Sequence, residues 1–347
     1  MSEGIHVESV SNSFSKFSKV LFFMEAILML VNQLDVIQIA DSRSGASASI
    51  LPGRGFICDS LNLMHNQKSV EILWAPENYR DRSARATSGG IPILFPYPGR
   101  LPSTDVIYQG REYKLEGKDK LGRPIHGLVH ERPWRVTVQS DDRVTGEFIL
   151  SQDSPEARLQ WPCDFRLEAT WAITGGLLQF TMKVDAYGDM PAAFGLHPYF
   201  RMPLGSGDNE QMRIDLSAHK WQPLLNLLPN GPPCFVKECS STAIANFPGS
   251  VPLGTAEYDD VFTDLTFVNG WSTAKLIDPD AGLAVSVQCD EIFSSCVLFT
   301  PPHRKSICIE PYSCIPGHAE FPESVGWKHL HKGQSLTGRM IISLGET

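Results

Sequence analysis

The chain has 347 residues, 42% of them hydrophobic and 20% charged, with 30 Lys and Arg against 39 Asp and Glu and a net charge of -9. That balance excludes a nucleic-acid partner, whose phosphates call for a basic face, and leaves a small or uncharged one. Eight cysteines lie scattered without a C-x-x-C pair, which excludes a zinc ribbon or a dense disulfide framework and points to reduced thiols in a cytoplasmic protein.

Residues 1–34 are read as an N-terminal extension. Val20 to Val31 is apolar apart from Glu25, but it is too short to span a bilayer and no small-residue cleavage site follows it, so no membrane contact is expected. From residue 35 to 347 no linker interrupts the chain, and one large domain is expected.

Strand signals begin at once. Val36, Ile37 and Ile39 precede a polar turn, and Ala48 to Leu51 leads through a Pro-Gly-Arg-Gly turn to Phe56, Cys58, Leu61 and Leu63. Phe165, Leu167, Ala169, Trp171 and Ile173 alternate with mostly polar residues. After Gly175-Gly176, Leu178, Phe180, Met182 and Val184 do the same, which predicts a hairpin with one buried face. A second hairpin is predicted from Leu276 through the Pro279-Asp280-Ala281-Gly282 turn to Val287, and strands at 296–299 and 341–344 follow. Amphipathic helix-length stretches are nearly absent, so the fold class is all-β, a large antiparallel β-sandwich with few short helices.

Five polar stretches interrupt this pattern. Gly89-Gly90-Ile91-Pro92-Ile93-Leu94-Phe95-Pro96-Tyr97-Pro98-Gly99-Arg100 is too rich in proline for a central strand and must deliver Arg100 on irregular chain. In Ile125-His126-Gly127-Leu128-Val129-His130-Glu131-Arg132, Gly127 opposes a helix, so the histidines are not a helical zinc motif. Phe194-Gly195-Leu196-His197-Pro198-Tyr199-Phe200 sets a histidine among aromatics that suit a sugar face, Tyr199 and Phe200 among them. In Glu257-Tyr258-Asp259-Asp260-Val261-Phe262 only one of the adjacent acids can face inward on extended chain. Last, Ser306-Ile307-Cys308-Ile309-Glu310-Pro311-Tyr312 places a carboxylate opposite two isoleucines on a strand that Pro311 is expected to end.

In order and spacing these five stretches resemble the aldose 1-epimerase (galactose mutarotase-like) family, from about residue 35 onward. The resemblance implies a single antiparallel β-sandwich that interconverts α and β hexose anomers without metal or cofactor, as a monomer or homodimer acting on a small sugar. It also implies Glu310 as general base, His197 as general acid, and His126, Arg100 and Asp259 as sugar-binding residues. Gly99 and Leu128 depart from the commonest family motifs, where an asparagine and a second glycine stand. The chemistry asks for such a pair: a base takes the anomeric proton and an acid protonates the ring oxygen, and an ionised Glu beside a protonated His would favour each other. Three other readings are weighed against this one. A hexose-6-phosphate 1-epimerase would want cations at the rim, from Arg100 with Arg123 or Arg132. A carbohydrate-binding module would need no acid and base. A cupin-like metal site at His329-Leu330-His331 would sit in a polar turn.

Overall fold

The computed structural model describes residues 35–317 and 326–347. The expected extension at 1–34 lies outside the described residues. Two antiparallel sheets carry the fold. One has nine strands, in the spatial order Gly249–Pro252, Arg213–Leu216, Trp271–Asp278, Leu283–Asp290, Ser335–Glu346, Leu177–Ala186, Phe165–Thr174, Arg143–Ile149 and Arg135–Gln139. The other has eight and runs from Cys234–Phe235 through Ala218–Gln222, Asp259–Leu265, Ser295–Phe299 and Ser306–Tyr312 to Gly195–Leu196 and Ile93–Leu94. Tyr199–Arg201 also pairs with the Ser306–Tyr312 strand. A four-stranded sheet, Ile37–Ala40, Ser47–Leu51, Ile57–His65 and Lys68–Glu71, precedes them. Among the described residues the α-helices are two single turns, Leu150–Asp153 and Thr242–Ala245.

The alternation explains why these residues pair as they do. Leu167, Ala169, Trp171, Phe180, Met182 and Val184 are essentially inaccessible, while Glu168, Thr170 and Thr181 on the opposite faces remain partly or fully exposed. A one-residue slip would put the whole apolar set in water, so register is held by burial of these side chains, about 1.5–3 kcal/mol for each large one. The connecting Gly175 and Gly176 have φ +60° and +76°, the paired left-handed conformation of a two-residue hairpin turn. The inward faces of the large sheets meet in one apolar core, to which Phe180 and Met182 contribute from the first and Phe262, Leu298, Ile307 and Ile309 from the second.

The Ser306–Tyr312 strand departs from the usual pattern, since every one of its residues is buried. Ile307 and Ile309 face the core; Cys308, Glu310 and Tyr312 face the other way, under the segments that cover the sheet. Pro311 lies inside this strand and does not end it. On the side toward 195–201, Ser306, Ile307 and Cys308 pair with Arg201, Phe200 and Tyr199, and Tyr312 pairs with Gly195, but the residues between make no ladder there. The missing N–H of Pro311 falls in that gap, and so does the chain at His197.

Candidate active site

Three of the polar stretches are knitted together by the Gly89–Arg100 segment. On one side Leu128 and His126 donate their backbone N–H groups to Phe95 O (2.7 Å) and Gly99 O (2.9 Å), and Arg100 bridges Ile125. On the other, the backbone N–H groups of His197 and Tyr199 donate to Pro92 O (3.1 Å) and Gly90 O (2.9 Å). A proline-rich chain offers few donors, so its carbonyls are free to accept from both neighbours. His126 itself is left-handed, at φ +64°, and Gly127 follows at +79° with its Cα so close that a Cβ would stand 2.1 Å from Phe95 O. Only glycine fits there, and the neighbouring His126 ring stands 5.3 Å from that of His197 between centroids.

Glu310, His197, His126, Arg100 and Asp259 all line one pocket of about 600 Å³, within the range of small-molecule sites. Glu310 and His197 lie at its floor, 2% and 5% exposed, with His197 Nε2 3.5 Å from Glu310 Oε2. Tyr312 Oη donates to the same Glu310 Oε2 at 2.5 Å. The His197 ring is stacked on Tyr199, 4.7 Å between centroids and 3° from parallel, and the Tyr199 hydroxyl is tied to Thr87 O at 2.6 Å. Asp259 opens its strand at the pocket wall, while neighbouring Asp260 accepts from Trp221 Nε1 at 2.9 Å, so one acid of the pair faces the pocket, as alternation requires. Arg100 lies 3.6 Å from Asp119, which holds Arg123 more closely at 2.7 Å.

Burial sets the charges here. It pushes the Glu310 carboxyl well above the usual range, helped by the Asp259 charge and opposed by the Tyr312 hydrogen bond and Arg100. It pulls the His197 imidazole down to about 3, with Arg100 and His130 acting the same way. The His126 ring is held well below its ordinary value by burial and by His197. Burial thus favours the neutral form of each group, opposing the ionised Glu and protonated His expected of so close a pair. The proton count is unchanged, because a neutral pair with one shared proton and a charged pair are two placements of that proton.

Several neighbours differ from expectation. Phe200 is wholly buried in the core and covers no part of the pocket, since it alternates with Tyr199 on extended chain. The aromatic wall is Tyr199 with Phe299, which the polar stretches did not flag and whose ring stands edge-on to His197 at 6.2 Å. His130 is a satisfied loop residue, its Nδ1 3.1 Å from His126 O. Arg132 pairs with Glu156 at 2.5 Å and does not line the pocket, whereas Arg123 does. His329 stacks on Tyr108 and His331 lies 3.3 Å from Asp189; they form no metal cluster among the described residues. The cluster with metal-ligand geometry is instead His197, Cys308 and Glu310, whose donor atoms lie within 4.8 Å of one another. Spacing along the chain could not reveal it, because the imidazole arrives from the connection between Gly195–Leu196 and Tyr199–Arg201, distant in sequence.

The pocket mouth is also basic. Arg85, Lys118, Lys120 and Arg123 line it with Arg100, against Asp119, Asp259 and Glu310. Three of these cations come from the 117–123 loop, where Asp119 Oδ1 accepts the N–H groups of Leu121 and Arg123 at 2.8 and 2.7 Å and Lys118 N donates to Arg123 O at 2.9 Å. Lys118 is engaged with Glu131.

Comparison with known proteins agrees with this architecture. The model of the family described as "Aldose 1-epimerase" matches residues 41–343. A protein of Salmonella typhimurium named "Putative glucose-6-phosphate 1-epimerase" is 27% identical over 133 residues, a match that spans 38% of this chain and 38% of that protein. The "Uncharacterized protein YphB" of Escherichia coli is 25% identical over 273 residues, covering 75% of this chain and 86% of its own. A galactose mutarotase-like protein from Clostridium acetobutylicum superposes with a TM-score of 0.77 at 21% identity, over 91% of this chain and 99% of its own, and shares the fold. Among the described residues no helix is long and apolar enough to cross a membrane.

Proposed function

The chain belongs to the aldose 1-epimerase family, and from that premise we propose that it interconverts the α and β anomers of a hexose by acid/base ring opening and reclosure, with Glu310 as base and His197 as acid. The observation that carries the proposal is the buried carboxylate–imidazole pair 3.5 Å apart on the floor of a pocket of about 600 Å³. The anomeric oxygen and the ring oxygen of a pyranose hang on the same carbon, so their base and acid must stand side by side, as these two do.

With the proton moved from Glu310 to His197, Glu310 takes the proton of the anomeric hydroxyl while His197 Nε2 gives its proton to the ring oxygen. The C1–O5 bond breaks, C1 becomes a carbonyl, the open aldehyde turns about C1–C2, and the reverse transfers close the ring on the other face. Base and acid each contribute about 10²–10⁴-fold. Arg100 and Asp259 orient hydroxyls by charge-assisted hydrogen bonds and His126 by a neutral one, and Tyr199 and Phe299 cover an apolar face of the ring. The shared core supports one domain from 35 to 347, and eight free cysteines support a cytoplasmic setting.

Polarimetry of freshly dissolved α-glucose, α-galactose and glucose 6-phosphate tests the activity. The expected result is accelerated exchange that falls about 10²-fold or more in Glu310→Gln while sugar binding persists. Near wild-type exchange in that variant would remove Glu310 from the mechanism.

A second reading, in which the hexose is phosphorylated, is favoured by the basic mouth. Arg85 and Lys120 form no ion pair among the described residues, and Arg100 and Arg123 share the single carboxylate of Asp119. In a chain of net charge -9, such a local surplus suits an anionic substituent held away from C1.

A further inference from the structure

Epimerisation uses a base, an acid and groups that hold hydroxyls; Cys308 is none of these. It sits two residues before Glu310 on the same face of the Ser306–Tyr312 strand, opposite Tyr199 in register, and is fully buried beneath the pocket floor. There its thiol joins the Glu310 carboxylate and the His197 imidazole within 4.8 Å, all three buried. We propose that His197, Cys308 and Glu310 form a binding site for a borderline-soft divalent metal ion, zinc foremost, and that its occupancy shuts off the epimerase.

The geometry is near what zinc requires. Zn–S of about 2.3 Å and Zn–N and Zn–O of about 2.0–2.2 Å, in a tetrahedron, put ligand atoms about 3.3–3.7 Å apart. His197 Nε2 and Glu310 Oε2 are already 3.5 Å apart, so closing the set asks only for side-chain adjustment of about 1 Å at the widest gap. Three protein ligands leave a fourth position for water, which opens toward the pocket. The ligand set selects the ion: thiolate and imidazole favour zinc, cobalt or cadmium, while magnesium and calcium prefer oxygen alone. Bound as thiolate and carboxylate, Cys308 and Glu310 bring two negative charges that one divalent cation balances to zero, the charge a buried site tolerates best. The Tyr312 hydroxyl remains on the carboxylate as an outer hydrogen bond that fixes its orientation.

Inhibition follows from shared atoms. A metal on Glu310 and His197 occupies the lone pairs that move the anomeric and ring protons, so metal and sugar exclude each other.

The inference rests on the epimerase reading for its kinetic arm alone. Chelator-treated full-length protein is titrated with zinc while anomer exchange is followed. Micromolar zinc should abolish exchange competitively with sugar, EDTA should restore it, and magnesium at the same concentration should have no effect. Cys308→Ser should keep exchange and need at least about tenfold more zinc for half-inhibition. In a second, activity-free arm, cobalt(II) should give the near-ultraviolet thiolate-to-cobalt band in the wild type, lost in Cys308→Ser. Absence of that band in the wild type, or equal zinc sensitivity in Cys308→Ser, overturns the site. Absence of the band in the wild type overturns the site even if the variant fails to fold. Protein that binds cobalt through sulfur but exchanges no anomer on any sugar would keep the metal site and sink the epimerase reading instead.

Discussion

Removing one oxygen, in Tyr312→Phe, tests the electrostatics of the pair directly. Tyr312 Oη donates to Glu310 Oε2 at 2.5 Å, the hydrogen bond that holds the carboxyl pKa down against burial. Hydrogen bonds to a charged group are worth about 1.5–3 kcal/mol, and 1.36 kcal/mol corresponds to one pKa unit, so its loss should raise the Glu310 pKa by about 1–2 units. With His197 lowered and Glu310 raised, the pair holds one proton between the protonation of His197 on the acid side and the deprotonation of Glu310 on the alkaline side. The alkaline limb of kcat/KM is therefore Glu310's and should move up by about 1–2 units in the variant. On the plateau the fraction of pairs with the proton on His197 falls by the same factor. A more basic carboxylate recovers part of that loss, leaving a net fall of about tenfold. Polarimetric pH profiles of wild type and variant, with thermal melts to confirm folding, give the comparison. An unmoved alkaline limb with unchanged kcat/KM would refute the assigned proton placement.

Further outcomes follow from the same geometry. Glu310→Gln should stabilise the protein increasingly as pH rises: the folded pKa lies above the unfolded one, so the wild type loses up to about 1.36 kcal/mol per pH unit from the unfolded value of about 4.3 to the folded pKa. Thermal melts across that window should show the gap between the two proteins widening and then levelling off, and a constant gap would contradict the raised pKa. Gly127→Ala sets a Cβ 2.1 Å from Phe95 O at a positive φ; it should cost more than about 1 kcal/mol in melts and raise KM through the displaced His126. Lys120→Ala with Arg123→Ala should weaken glucose 6-phosphate turnover at least about tenfold and leave glucose unchanged if the basic mouth reads a phosphate.

The strands were legible wherever one face is wet. The hairpin at 165–184 stands out because Glu168, Thr170, Gln179 and Thr181 alternate with apolar partners. The Ser306–Tyr312 strand was harder, since both its faces are buried and alternation alone cannot distinguish a site face from a wet rim. Its carboxylate was found by the order of five stretches. Phe200 and Phe299 show the limit of reading by motif: Phe200 lies in a polar-aromatic run and points to the core, while Phe299 lies in an ordinary strand and points to the pocket. Of the basic mouth, Arg100 and Arg123 were expected as rim cations, whereas Arg85, Lys118 and Lys120 were not, because they belong to loops outside those stretches.

The charge state of the pair was beyond any reading of the chain. A Glu and a His brought together in water would each favour the other's charged form, the expectation drawn from the acid/base chemistry of anomer exchange. What opposes it is desolvation, and no single segment supplies that: Tyr312 and Cys308 flank the carboxylate on its own strand, Tyr199 covers the imidazole, and the 89–100 segment accepts the backbone N–H groups of His197 and Tyr199. That preference suits the proposed chemistry. A neutral pair fits a buried floor, where two opposite charges are poorly solvated. It becomes a charged base and acid by one proton shift, once sugar hydroxyls hydrogen-bond Glu310 and His197.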